Sequence, residues 1–72
     1  MKPNHLLTRL RQDIRKMETA TSREVFLRFV HFAKLKMRTL QRQMHEGRLT
    51  EAARHAFLEA LKVFVEVQKR KG

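Results

Sequence analysis

Cysteine is absent from this chain of 72 residues, which also holds no tryptophan or tyrosine, only two glycines and one proline. Without cysteine there are no disulfides and no thiolate-bound zinc. So few glycines and prolines leave little to interrupt a helix, and there is no Asn-Gly or Asp-Gly hairpin signal. The remaining composition is rich in residues that favour helix. The sequence therefore predicts an all-α fold, with residues 1–72 forming a single helical domain.

Patterns that carry catalysis or ligand binding are also missing. The one serine, Ser22, fits a helix cap, and there is no phosphate-binding glycine loop. The carboxylates lie at salt-bridge spacings, and the four histidines lack the spacing of a metal site on one helix. We therefore expect no catalytic residues, metal, cofactor or small-molecule substrate, and no enzyme. The lack of a signal peptide or long apolar run predicts a cytoplasmic protein that is not bound to a membrane.

Apolar residues three and four positions apart predict three helices, at about residues 4–17, 22–46 and 50–70. Helices 2 and 3 carry heptad-spaced stripes, formed by Phe26, Val30, Ala33, Met37, Leu40 and Met44 on helix 2 and by Leu49, Ala53, Ala56, Ala60, Val63 and Val67 on helix 3. Two such helices joined by a short turn predict an antiparallel hairpin, in which the alanines of helix 3 allow close approach. Helix 1 is expected to cover the wider apolar half of helix 2.

The expected helix ends rest on a few polar residues and one glycine. Asn4 and Thr50 are predicted caps of helices 1 and 3, and Thr21 with Glu24 reads as a capping box for helix 2. Gly47 is expected to end helix 2 in the left-handed conformation that glycine adopts most easily.

Four apolar residues fall outside these stripes, namely Leu27 and Leu35 on helix 2 and Leu58 and Val65 on helix 3. Single exposed apolar residues are ordinary, but two on each of two helices favour a partner surface. The simplest assembly is a homodimer in which two hairpins form a four-helix bundle with helix 1 packed outside.

The charge balance points to an anionic partner. Seventeen Lys and Arg against seven Asp and Glu give a net charge of +10. No acidic residue occurs between Glu24 and Glu46, a stretch that contains five basic residues, namely Arg28, Lys34, Lys36, Arg38 and Arg42. This pattern predicts a ridge that contacts phosphates, with a solvated face of a basic protein as the simpler interpretation. Helix 1 adds Arg9, Arg15 and Lys16.

The sequence therefore predicts a small regulatory protein that binds DNA or RNA through the phosphate backbone. Because there is no helix-turn-helix or zinc-finger pattern, we expect no strong sequence readout. The five aromatic residues are all Phe and most have core spacing, so we expect contact with the backbone of duplex DNA or structured RNA rather than stacking on the bases of a single strand. The alternative is a protein-interaction module, an adaptor or inhibitor that docks on an acidic partner protein.

Overall fold

Three α-helices make up the computed structural model, which describes residues 4–71: α1 (His5–Thr19), α2 (Arg23–His45) and α3 (Glu51–Lys71). No strand occurs among these residues, so the all-α prediction is confirmed, with helix ends within two residues of those expected. Over the same residues, no helix combines the length and the hydropathy needed to cross a membrane.

The first turn of each helix is capped by a polar side chain. The side chains of Asn4 and Thr50 each accept a hydrogen bond from the amide three residues ahead, at 3.1 Å, as predicted. In α2 the cap is Ser22, whose hydroxyl accepts the corresponding amide at 3.2 Å. The predicted capping box of Thr21 and Glu24 was therefore wrong by one residue, because α2 begins at Arg23 and the hydroxyl at the right spacing belongs to Ser22.

The turn from α2 to α3 depends on Gly47, which has a φ of 70°. Its amide donates to the Met44 carbonyl at 3.1 Å, and the next amide, of Arg48, donates to the Gln43 carbonyl at 2.9 Å. This pair of bonds is the Schellman motif, which satisfies carbonyls that the end of a helix would leave without donors. The expected left-handed glycine is confirmed.

The end of α3 returns to the link between α1 and α2. The Arg70 guanidinium lies 3.4 Å from the Glu18 carboxylate, and the Lys71 ammonium donates to the Ala20 carbonyl at 2.8 Å. It follows that α1 and α3 run in the same direction and α2 runs opposite to both. The bundle measures 37 × 18 × 18 Å.

Helix α1 is the element that both other helices pack against. Its backbone approaches α2 and α3 closely, whereas α2 and α3 scarcely approach each other. The predicted α2–α3 hairpin packing is therefore not confirmed, although the two helices are antiparallel. Ile14 of α1 and Ala60 of α3 line the same cleft, and the small side chain of Ala60 allows the two helices to approach closely.

The core is apolar throughout, since no polar or charged residue is buried among residues 4–71. Its members are Leu7, Leu10, Ile14 and Met17 from α1, Phe26, Val30, Ala33 and Leu40 from α2, and Phe57, Ala60, Phe64 and Val67 from α3. On α3 this stripe is rotated from the predicted one: the phenylalanines are buried, and Val63 is exposed. Burial of the two phenylalanines removes more apolar surface from water than burial of Ala53 and Ala56, which are only half-buried.

Candidate nucleic-acid interface

Four of the predicted phosphate contacts lie together on the solvent side of α2. Arg28, Lys34, Arg38 and Arg42 are all exposed, and we call them the α2 basic ridge. Lys34, Arg38 and Arg42 follow one another at one-turn spacing, and all four ridge residues lie outside the buried stripe of α2. From Arg28 to Arg42 the ridge extends about 21 Å along the helix axis.

Within residues 4–71, no member of the ridge forms an ion pair with a carboxylate. The charges on α3 differ, since Lys62 pairs with Glu59 at 3.8 Å and Arg70 reaches Glu18 on α1. Guanidinium and ammonium groups make short, charge-assisted hydrogen bonds to phosphate oxygens. The ridge thus presents donors for phosphate that the fold does not use itself.

Lys36, the fifth predicted contact on α2, is occupied within the fold. Its ammonium lies 2.6 Å from Asp13 Oδ2 on α1, and the side chains of Lys36 and Asp13 are only 21% and 13% exposed. The angles of this contact miss hydrogen-bond geometry, and Oδ2 has no other donor, so the link is a close ion pair. The Lys36 ammonium also lies 5.7 Å from the centre of the Phe32 ring. Lys36 therefore joins α1 to α2 and does not extend the ridge.

The three predicted contacts on α1 are exposed but do not share one edge of that helix. Lys16 lies at the α2 side, where its ammonium is 5.3 Å from the centre of the Phe29 ring. Arg9, one heptad earlier, has the same helical position. Arg15 lies at the α3 side, so the structure brings Arg9 and Lys16 to the flank of α2 and separates Arg15 from them.

Arg15 lines an open cleft of about 350 Å³ between α1 and α3. Arg11 and two carboxylates, Glu18 and Glu59, line the same cleft, which has Ala60 among its apolar residues. Charges of both signs meet here, unlike on the ridge. A second open cleft, with a volume of about 210 Å³, lies along α1 and is lined by Thr8, Arg11, Gln12 and Arg15.

The apolar residues predicted to form an interface are all close to half exposed. Leu27 and Leu35 lie on α2 among the members of the ridge, and Leu58 and Val65 lie one heptad apart on α3. Because Leu27 and Leu35 share a face with guanidinium groups, that face is both cationic and apolar. A partner that binds this face would contact both basic and apolar side chains.

Phe32 is a surface residue that the sequence pattern did not reveal. Its spacing in the sequence places it at the flank of the apolar stripe of α2, yet 39% of its surface is exposed. Its position at the edge of that stripe was the available signal, because edge residues are covered only where a neighbouring helix extends over them.

No protein-family model, curated protein or solved structure matches this chain. Within residues 4–71, no group of three His, Asp or Glu side chains is placed to hold a metal ion. The features that can be interpreted chemically are therefore the basic ridge, the exposed apolar residues beside it and the rings at the α1–α2 edge.

Proposed function

We propose that this chain is a non-enzymatic, cytoplasmic regulatory protein that binds DNA or RNA through phosphate contacts from the α2 basic ridge. The observation that carries the proposal is that Arg28, Lys34, Arg38 and Arg42 lie on one exposed face without a carboxylate partner among residues 4–71. Like charges one turn apart repel by a few tenths of a kcal/mol per pair, and phosphates would remove that repulsion. Arg9 and Lys16 supply further positive charge at the α1–α2 edge.

Contacts to the phosphate backbone carry no base information, so we propose binding without strong sequence readout. The long side chains of the ridge are spread along a single straight helix and follow a charged backbone more readily than a set of base edges. Binding of this kind releases condensed counterions and weakens steeply as salt is raised.

The test is a fluorescence-anisotropy titration of duplex DNA and structured RNA at several salt concentrations, with the parent and Arg38→Glu/Arg42→Glu. We expect the double variant to bind at least about tenfold more weakly at low salt, and its log–log salt slope to fall by about two, one for each arginine that no longer neutralises a phosphate. Both arginines are exposed, so the helical circular-dichroism signal should be unchanged.

The matched control is Lys62→Glu/Lys69→Glu, which makes the same change in net charge on the exposed side of α3. If both double variants were weakened to the same extent, general charge rather than the ridge would explain binding. Parent affinity no tighter than about 10⁻⁴ M at physiological salt for both ligands would contradict the proposed function.

The exposed apolar residues favour a second candidate function, an adaptor or inhibitor that docks on an acidic protein. Leu58 and Val65 are spaced by one heptad on α3 and are open to solvent, which also makes them the proposed contact in a homodimer. We expect Leu58→Asp/Val65→Asp to abolish dimers in sedimentation-velocity runs while leaving the helical content intact. A parent protein that stays monomeric at high micromolar concentration would contradict the dimer.

A further inference from the structure

Phe32 differs from the other phenylalanines of the chain in how much of its ring meets solvent. Phe26, Phe57 and Phe64 are buried and Phe29 is half-buried, whereas Phe32 is 39% exposed. A single exposed apolar residue needs no explanation. What singles out Phe32 is the set of groups around it.

Two further rings lie near that of Phe32, one on each side of it around α2. Phe29 meets it edge to face, with ring centres 5.9 Å apart and planes at 75°. The His31 ring lies 6.2 Å from it at an inclination of 52°. Phe29 and Phe32 lie at the α1–α2 edge, and His31 adjoins Phe32 on the side away from α1; we call these three rings the aromatic patch (Phe29, His31 and Phe32).

Cations border this patch. The Lys16 ammonium lies over the Phe29 ring at 5.3 Å, and the Lys36 ammonium lies over the Phe32 ring at 5.7 Å. Arg28 is one helical turn before Phe32 and is exposed. The nearby carboxylate, of Asp13, is already paired with Lys36, so the surroundings of the patch keep a net positive charge.

An unpaired nucleotide has the two properties that match this combination. Its base offers a flat π-face that stacks on aromatic rings, and its phosphates seek cations within a few ångströms of that base. A base inside an intact duplex is stacked on its neighbours and cannot present its face to a helix surface. We propose that the aromatic patch is a stacking site for an unpaired base, so that the protein prefers single-stranded DNA or RNA, or a single-stranded loop, over continuous duplex.

This inference rests on the proposed function and narrows it, because the ridge alone does not distinguish single strands from duplexes. It departs from the sequence expectation of duplex DNA or structured RNA because Phe32, which lies beside the apolar stripe in the sequence, is exposed. Phosphates of the strand would lie along Arg28 and the rest of the ridge, while one base turns toward Phe32. Arg28, which is one turn before Phe32, connects the patch to the ridge, so one strand that passes Arg28 can contact both.

The experiment compares Phe32→Leu and the parent for binding to a single-stranded oligonucleotide and to the duplex of the same sequence, by anisotropy at several salt concentrations. Leucine keeps an apolar side chain at the position and removes only the aromatic ring, so the fold is maintained. We expect the parent to bind the single strand more tightly, and Phe32→Leu to weaken that binding by about five- to tenfold without affecting duplex binding. Because no charge is removed, the salt slope should not change.

The matched control is Val63→Ala, which truncates a similarly exposed apolar residue on α3 that belongs to neither the ridge nor the proposed dimer contact, and it should leave both affinities unchanged. A fluorescent adenine analogue in the single strand should be quenched by the parent and not by Phe32→Leu, which reports stacking itself.

The outcomes separate this inference from the proposed function. Equal affinity for single strand and duplex, or an unchanged affinity in Phe32→Leu, would overturn the stacking site and leave the ridge in place. Absence of binding to both ligands would overturn the function and the stacking site together. If polyglutamate of matched charge displaced the single strand as well as unlabelled DNA did, the patch would be responding to charge alone, and the inference would be wrong.

Discussion

Replacement of Lys36 by methionine tests whether this residue belongs to the fold or to the nucleic-acid surface. The Lys36 ammonium and the Asp13 carboxylate are 2.6 Å apart and mostly covered. At an effective dielectric constant near 20, two charges at that distance attract by about 6 kcal/mol, much of which offsets the cost of removing them from water. The quantity to measure is therefore the loss in free energy of unfolding when one partner of the pair is removed.

In Lys36→Met the aliphatic stem is kept, but the Asp13 carboxylate stays covered and has no donor. Loss of one partner from a buried pair costs about 3–5 kcal/mol, and partial exposure of this pair reduces our expectation to about 2 kcal/mol. A chain of this size is expected to have a total stability of about 4–11 kcal/mol, so Tm should fall by about 10 °C. Circular dichroism during thermal and urea unfolding measures both quantities.

The paired change Asp13→Leu/Lys36→Met removes both charges, and we expect its stability to lie within about 1 kcal/mol of the parent. The resulting double-mutant cycle should give a coupling energy of at least about 1 kcal/mol. The matched control is Lys34→Met, which makes the same change at an exposed member of the ridge. It should change the free energy of unfolding by less than about 0.5 kcal/mol and weaken nucleic-acid binding. If Lys36→Met left Tm unchanged and lowered the salt slope of binding, the assignment of Lys36 to the fold would be wrong.

Two further changes test the core and the turn. Leu10→Ala removes a fully buried side chain of α1, the helix that contacts both others, and should lower the free energy of unfolding by about 3–5 kcal/mol. Urea unfolding at constant m-value measures this loss, and the exposed Leu58→Ala should lose less than about 1 kcal/mol. Gly47→Ala should cost about 1 kcal/mol through backbone strain alone, because φ is 70° and nothing lies within 4 Å of an added Cβ. Gly47→Asn should cost less, since asparagine tolerates this conformation; equal destabilisation by both would refute the strain argument.

Local spacing in the sequence was enough to predict the helices. Caps, apolar periodicity and one glycine act within a few residues, so Asn4, Gly47 and Thr50 could be assigned without any knowledge of the tertiary contacts. The shift from Thr21 to Ser22 shows the precision of such rules, because either hydroxyl can accept from the amide three residues ahead of it and local spacing does not decide which one caps the helix.

The candidate site was predictable only in part. The stretch without acidic residues on α2 is visible in the sequence, and the exposure of the α2 ridge follows from its position opposite the apolar stripe. The ion pair of Lys36 could not be predicted from the sequence, because Asp13 lies on another helix and only the packing of α1 on α2 brings the two side chains together. The exposure of Phe32 could not be predicted either, because the packing of the neighbouring helix decides whether a residue at the edge of a stripe is covered.

By itself, then, the sequence determined the all-α class, the three helix segments, and the uncompensated charge on the middle helix. All three depend on interactions within one helix or on composition. Only the tertiary structure decided that α1 packs on both other helices, that Lys36 is neutralised by Asp13, and that Phe32 is exposed among cations. The physical reason is that an apolar stripe predicts which side of a helix is buried but not which other helix covers it. The surroundings of residues at the edge of a stripe depend on which helix packs there.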